Sequence, residues 1–166
     1  DVAPLGECEV IFTALPHGAS QKVIPELLET AKLIVDLGAD FRLKNAETYR
    51  QWYEEDHTAP QLLGSASYGL PELFRDELEG SSLVAAPGCY PTAASLALAP
   101  FMRAGVIKSD EIIVDAASGA SGAGKTPQSS SLFCAVDENF TAYGLLSHRH
   151  TPEIEQTLST GANEIR

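Results

Sequence analysis

No apolar stretch of this 166-residue chain approaches the roughly 20 residues a bilayer-spanning helix needs, and no basic-then-apolar leader opens it. A membrane span and a secretory signal are therefore not expected. Positive charge is also scarce: 11 Lys and Arg stand against 23 Asp and Glu, for a net charge of −12. That balance argues against nucleic acid or an anionic membrane as partner, since both need a basic face; a small anionic substrate would need only a local cationic pocket. Cys8, Cys89 and Cys134 are an odd number at wide spacing, with no C-x-x-C pair. Zinc, a dithiol redox centre and a disulfide framework are thus not expected, and neither is any other metal site; a reducing, cytoplasmic compartment is the simplest setting. Repeats and low-complexity tracts are missing as well. What remains is a chain with 44% hydrophobic residues, enough for one sizeable core or one domain and part of another. It opens at Asp1 without a methionine and closes at Arg166 just after an expected helix, so truncation at both ends is expected.

The run from Glu9 to Leu15 is rich in strand formers and breaks at Pro16-His17-Gly18-Ala19-Ser20, a turn able to start a helix from Gln21 to Ala31. A second apolar strand, Lys32 to Leu37, breaks at Gly38-Ala39-Asp40-Phe41-Arg42. Strand, helix and strand in this order predict a βαβ unit with parallel strands and a right-handed crossover. Ligands bind at the carboxyl ends of such strands, which brings forward the loops at His17 and Asp40. Asn45 is placed to cap a short helix to Tyr53 with its aromatic residues inward; Glu54 to Leu70 reads as an irregular excursion. A third strand is expected from Ser82 to Ala86, and Pro87-Gly88 ends it.

Cys89 follows that break, immediately before the Ala- and Leu-rich helix former Thr92 to Arg103. At a helix mouth, unpaired N–H groups and the positive end of the macrodipole favour a thiolate, the nucleophilic form; Pro91 suits the first turn, where its missing N–H costs nothing. Cys8 and Cys134 have no such context and read as inert small hydrophobes. Another strand is expected from Glu111 to Ala117, running into a small-residue loop from Ser118 to Lys125. Gly119 to Thr126 matches the G-x-x-x-x-G-K-[ST] spacing of a phosphate loop, but Pro127 and a serine run follow where that motif needs a helix. Finally, Thr151, Pro152 and Glu153 mark a helix start, with Thr151 as cap. If the residues before it are extended, His148 and His150 share one face and Arg149 takes the other. A thiolate needs a group that moves protons, so Cys89 with His148 or His150 would form a nucleophile and acid/base pair if the fold joins them.

Three separated motifs then point the same way: Pro87-Gly88-Cys89-Tyr90-Pro91-Thr92, the Ala117 to Lys125 loop, and His148-Arg149-His150-Thr151-Pro152-Glu153-Ile154. Together with Leu15-Pro16-His17-Gly18, Asp36 to Arg42 and Tyr68 to Glu72, they resemble the N-acetyl-gamma-glutamyl-phosphate reductase family over almost the whole chain. The resemblance implies a cytoplasmic, NADP-dependent enzyme of arginine biosynthesis, a homo-oligomer related to aspartate-semialdehyde dehydrogenase, whose substrate is an acyl phosphate. It implies Cys89 as the nucleophile that forms a thioester, and His150, narrowly ahead of His148, as acid/base. Arg42, Arg149 and Glu153 become candidates for substrate binding. Leu15, Pro16 and His17, with Ser118, Gly119, Ser121 and Gly122, become candidates for cofactor binding.

One departure from the family stands out. No G-x-x-G-x-x-G loop precedes residue 8, so the expected fold is α/β: a partial Rossmann-type parallel sheet followed by the start of an α+β catalytic domain. The expected division gives residues 1–88 to the later part of the dinucleotide-binding domain and 89–166 to the first part of the catalytic and dimerisation domain. Alone, such a chain need not bind NADP or turn over. Three other readings stay open: a related semialdehyde dehydrogenase acting on a longer acyl chain, a Cys-His hydrolase or acyltransferase without hydride transfer, and a non-catalytic oligomerisation or regulatory fragment. The choice between NADP and NAD also stays open.

Overall fold

The computed structural model describes residues 8–161. Four parallel strands, β1 (Val10–Thr13), β2 (Leu33–Asp36), β3 (Ser67–Tyr68) and β4 (Leu83–Ala85), form one sheet in the order β1-β2-β4-β3. Helix α1 (Ser20–Leu27) makes the crossover between β1 and β2, as the strand-helix-strand pattern predicts. Its buried residues Ser20, Ile24 and Leu27 recur at helical spacing, and Ile24 and Leu27 pack on Ile11, Ile34 and Leu83 of the sheet. The helix ends at Leu27 and not at Ala31, with Pro25 in its last turn; residues 28–31 close as hydrogen-bonded turns.

The register determines where the loops meet. Thr13 pairs with Asp36, Asp36 with Ala85, and Ala85 with Tyr68, so the last residues of all four strands lie in one row. Every loop beyond that row opens on the same edge, the edge where parallel α/β sheets bind ligands. Asp36, in the middle of the row, is fully buried and accepts the Thr13 hydroxyl at 2.7 Å and the Gly38 N–H at 2.9 Å.

Helix α2 (Ala46–Tyr53) starts as expected from Asn45, whose side chain accepts the N–H groups of Glu47 and Thr48. Its inner residues Tyr49 and Tyr53 pack with Leu43. Within the stretch read as irregular lie a 3-10 turn (Pro60–Leu62) and β3, whose two residues are too few to give a periodic signal. Helix α3 (Pro71–Leu78), with proline in its first turn, was not foreseen. Helix α4 runs from Cys89 to Arg103, so it begins three residues before Thr92. After a four-residue helix α5 (Phe133–Val136), α6 (Thr151–Gly161) packs against α4.

The strand expected from Glu111 to Ala117 does not form. Ile113 is 92% exposed, and residues 111–117 have no ladder partner among the described residues. A strand propensity without a neighbouring strand leaves its backbone groups to water, so propensity alone does not build one. The Gly119 to Thr126 stretch is not a phosphate loop either: Lys125 and Thr126 lie in a bend and Pro127 follows, where that motif needs a helix to begin.

Candidate active site

Gly88 is the N-cap of α4, with extended backbone, and Cys89 is the first helical residue. The cap has no side chain to bond the first-turn N–H groups, so they stay available around an exposed Cys89. Cys8 and Cys134 are exposed as well, which corrects the reading of both as small hydrophobes of the interior; neither follows the carboxyl end of a strand. The first turn is closed by Thr92, whose N–H and hydroxyl both donate to the Gly88 carbonyl, at 3.0 and 2.8 Å.

His150 lies directly against this turn. A Cβ added to Gly88 would sit 2.5 Å from His150 Nε2 and 3.0 Å from Arg42 Nη1, so only glycine permits this approach. The fold therefore joins the Cys89 turn and His150, 61 residues on in sequence from Cys89. His148 and His150 face one another with ring centroids 4.8 Å apart, and both meet the ring of Tyr90 edge-on. Arg149 turns away from them and places its guanidinium 5.3 Å from the Tyr53 ring centroid. The alternation expected of the three residues is present, although the segment is a turn and not a strand.

Two features separate the histidines. His148 Nδ1 accepts the backbone N–H of His150 at 3.1 Å, so its lone pair is spent and its Nε2 carries the proton in the neutral ring. Burial, then the neighbouring His148 and Arg42, lower the pKa of His150 to about 4, so at neutral pH it rests as an uncharged imidazole. Burial lowers His148 too. Sequence spacing could not order the pair; hydrogen bonding leaves His150 as the better placed proton acceptor.

Glu153, on the first turn of α6, is 1% exposed. Its Oε1 accepts the Tyr68 hydroxyl at 2.7 Å and the Gly88 N–H at 2.8 Å, and its Oε2 lies 3.6 Å from Arg42 Nη1. Burial raises its pKa, while Arg42, the Gly88 N–H and the Tyr68 hydroxyl act in the opposite direction. Arg42 is nearly buried too, and donates from Nε to the Ala86 carbonyl and from Nη2 to that of Leu37. Both residues expected at the substrate thus hold the chain around Gly88, at the ends of β2 and β4. Arg149, by contrast, is exposed.

The loop after β1 forms a second cluster. His17 places Nδ1 3.0 Å from Asp40 Oδ1 and Nε2 3.0 Å from Glu55 Oε1; Tyr49 donates to the same Glu55 oxygen at 3.0 Å. Burial pushes the Asp40 carboxyl up, but His17 and the N–H groups of Gly18 and Gln21 outweigh it and hold the pKa below its ordinary value. Sequence reading reached His17 and the Asp40 loop but not Glu55, which lay in the stretch taken as irregular. It also missed Tyr143, whose hydroxyl is 2.6 Å from that of Tyr90 and whose ring meets His148 edge-on.

For a dinucleotide the fit is local. Leu15 and Pro16 are exposed at the end of β1, and behind them Ser20 Oγ and Asp36 Oδ2 are buried without a hydrogen-bond partner. A Cβ on Gly38 would fall 2.5 Å from Ser20 Oγ, so only glycine lets the loop after β2 pass this close to α1; the unspent polar atoms beside the exposed Leu15 and Pro16 suit the polar edge of a nicotinamide cofactor. Ser118, Gly119, Ser121 and Gly122 are exposed on a loop bonded locally, Gly122 N–H to Gly119 and Gly124 N–H to Ser121. Among the described residues no hydrogen bond joins this loop to the Cys89 turn.

Comparison with known proteins agrees with this arrangement. Residues 1–81 match the family model for the semialdehyde dehydrogenase NAD binding domain, and residues 89–166 that for the semialdehyde dehydrogenase dimerisation domain. An N-acetyl-gamma-glutamyl-phosphate reductase of Symbiobacterium thermophilum is 53% identical over 156 residues, 93% of this chain and 45% of the relative. Reductases of the same name from Acetivibrio thermocellus and Pelobacter propionicus are 51% and 52% identical over 95% of this chain and 46% of each relative. The chain spans about half the length of these curated relatives. With the two domain models covering nearly all of it between them, the chain belongs to the semialdehyde dehydrogenase family and is similar throughout to its N-acetyl-gamma-glutamyl-phosphate reductases.

Proposed function

We propose that the protein carrying this chain is a cytoplasmic, homo-oligomeric, NADP-dependent reductase of arginine biosynthesis that converts N-acetyl-glutamyl 5-phosphate to the 5-semialdehyde. The division between its dinucleotide and catalytic parts falls at Gly88 and Cys89. The observation that carries the reading is the approach of His150 Nε2 to the backbone of Gly88, beside an exposed Cys89 in the first turn of a helix.

Neutral His150 takes the thiol proton as Cys89 Sγ attacks the acyl carbon. The acyl carbon–oxygen bond breaks, phosphate leaves with the electron pair and that proton, and the acyl group stays on Cys89 as a thioester. Leu15, Pro16 and His17 would hold a nicotinamide cofactor, which when bound would supply the hydride for reduction of the acyl group. His150 relays a proton from solvent to the carbonyl oxygen during the reduction, then takes it back as the carbon–sulfur bond breaks and the aldehyde departs. His148, its Nδ1 occupied, donates from Nε2. The exposed Arg149 meets an anionic group of the substrate, while Arg42 and Glu153 serve from behind.

The test is made on the full-length protein. Acyl phosphate alone should leave an acyl adduct on Cys89, seen by mass spectrometry, with one phosphate released per site; adding NADPH should then give continuous turnover with one NADPH consumed per phosphate. Cys89→Ser should abolish both. Continuous phosphate release without NADPH would identify a hydrolase or acyltransferase and overturn the reading.

A further inference from the structure

Tyr53 lies in neither candidate motif, yet its ring touches both ends of the site. It stacks on His17 with centroids 4.4 Å apart and planes at 24°, and on Tyr49 at 4.7 Å and 18°. The Arg149 guanidinium stands 5.3 Å from its centroid, within cation–π range. Tyr53 itself is 6% exposed, whereas Arg149 is exposed.

The supports behind the ring are fixed in turn. His17 is held between Asp40 and Glu55 at 3.0 Å from each, and the Tyr49 hydroxyl bonds Glu55 and receives Gln21 Nε2 at 3.2 Å. Tyr53 thus cannot rotate without breaking a packed stack. A long arginine side chain at a surface ordinarily samples many rotamers; one laid on a fixed aromatic ring loses that entropy before a ligand arrives. In a chain of net charge −12, a cation fixed at the residue between the two histidines also supplies the local positive charge that a small anion needs.

We infer that Tyr53 is a positioning residue that holds the Arg149 guanidinium ready for an anionic group of the substrate, its phosphoryl or its carboxylate. The inference rests on the reductase reading. It asks nothing of the tyrosine hydroxyl, only of the ring.

The experiment measures steady-state kinetics of the full-length enzyme in the reverse direction, with inorganic phosphate, the semialdehyde and NADP varied separately. Tyr53→Leu should raise the KM for one anion about threefold to fivefold, the range of an exposed cation–π contact, and change kcat less than twofold. Tyr53→Phe should match the parent enzyme. A rise for phosphate assigns Arg149 to the phosphoryl group; a rise for semialdehyde assigns it to the carboxylate. Arg149→Ala combined with Tyr53→Leu should be no worse than Arg149→Ala alone. Arg149→Lys, a surface exchange that keeps the charge and loses the planar stack, should reproduce the Tyr53→Leu effect even if Tyr53→Leu does not fold. Unchanged KM values for both anions in these variants, or additive effects in the double variant, would overturn the inference in an enzyme that is otherwise active. A parent enzyme without NADP-linked turnover would instead count against the reductase reading.

Discussion

The Glu153 carboxylate accepts the Gly88 N–H at 2.8 Å, across 65 residues of sequence, and so ties the first turn of α6 to the N-cap of α4. Because His150 precedes that turn and Cys89 follows Gly88, one buried carboxylate fixes how the two reactive segments face each other. Tyr68 on the edge strand and Arg42 beyond β2 complete its surroundings.

Glu153→Ala removes one member of a buried ion pair and leaves Arg42 uncompensated. Chemical denaturation of the full-length protein should show a loss of about 3–5 kcal/mol. A loss no larger than that of an exposed control such as Glu26→Ala would mean that the bridge does not hold the site together.

Gly88→Ala places a Cβ 2.5 Å from His150 Nε2 and 3.0 Å from Arg42 Nη1. Since the collision falls on an imidazole and a guanidinium anchored to backbone carbonyls, the histidine must move. Turnover should fall by about a hundredfold to ten-thousandfold, the range associated with losing acid/base catalysis, while Cys89 stays open to alkylation. Retention of more than a tenth of the parent rate would remove His150 from the mechanism.

The pH dependence follows from His150. An ordinary histidine loses half its base form at about 6.5, but with a pKa of about 4 this one stays neutral well into acid. The kcat/KM profile should therefore show no loss from this group between pH 7 and 5, and should fall only as pH nears 4. For stability the sign is set by the unfolded chain, which binds the proton first: between about 6.5 and 4 the unfolded state carries more protons, so stability contributed by neutral His150 is complete above that window and is lost as pH falls through it. Proton NMR titration of the His150 ring checks both.

Asn45 caps α2 through two N–H groups, and that helix carries Tyr49 and Tyr53 into the cluster around His17. Asn45→Ala should cost about 1 kcal/mol. Asn45→Asp, which keeps the acceptor, should be close to neutral; equal losses from both would show that the cap bonds contribute nothing.

Sequence alone determined whatever depends on neighbours a few residues away. The βαβ unit, the Asn45 cap, a helix following Cys89 and the paired placement of His148 and His150 all follow from propensity, capping chemistry and side-chain alternation. Tertiary structure decided the rest, because those outcomes depend on partners far along the chain. Arg42 and Glu153 look like free charges in sequence, but bonds spanning 44 and 65 residues turn them inward. Glu55 gains its meaning only when the loop after α2 meets His17. The residues from Glu111 to Ala117 have the composition of a strand, yet a strand exists only when another supplies the facing hydrogen bonds, and among the described residues none does.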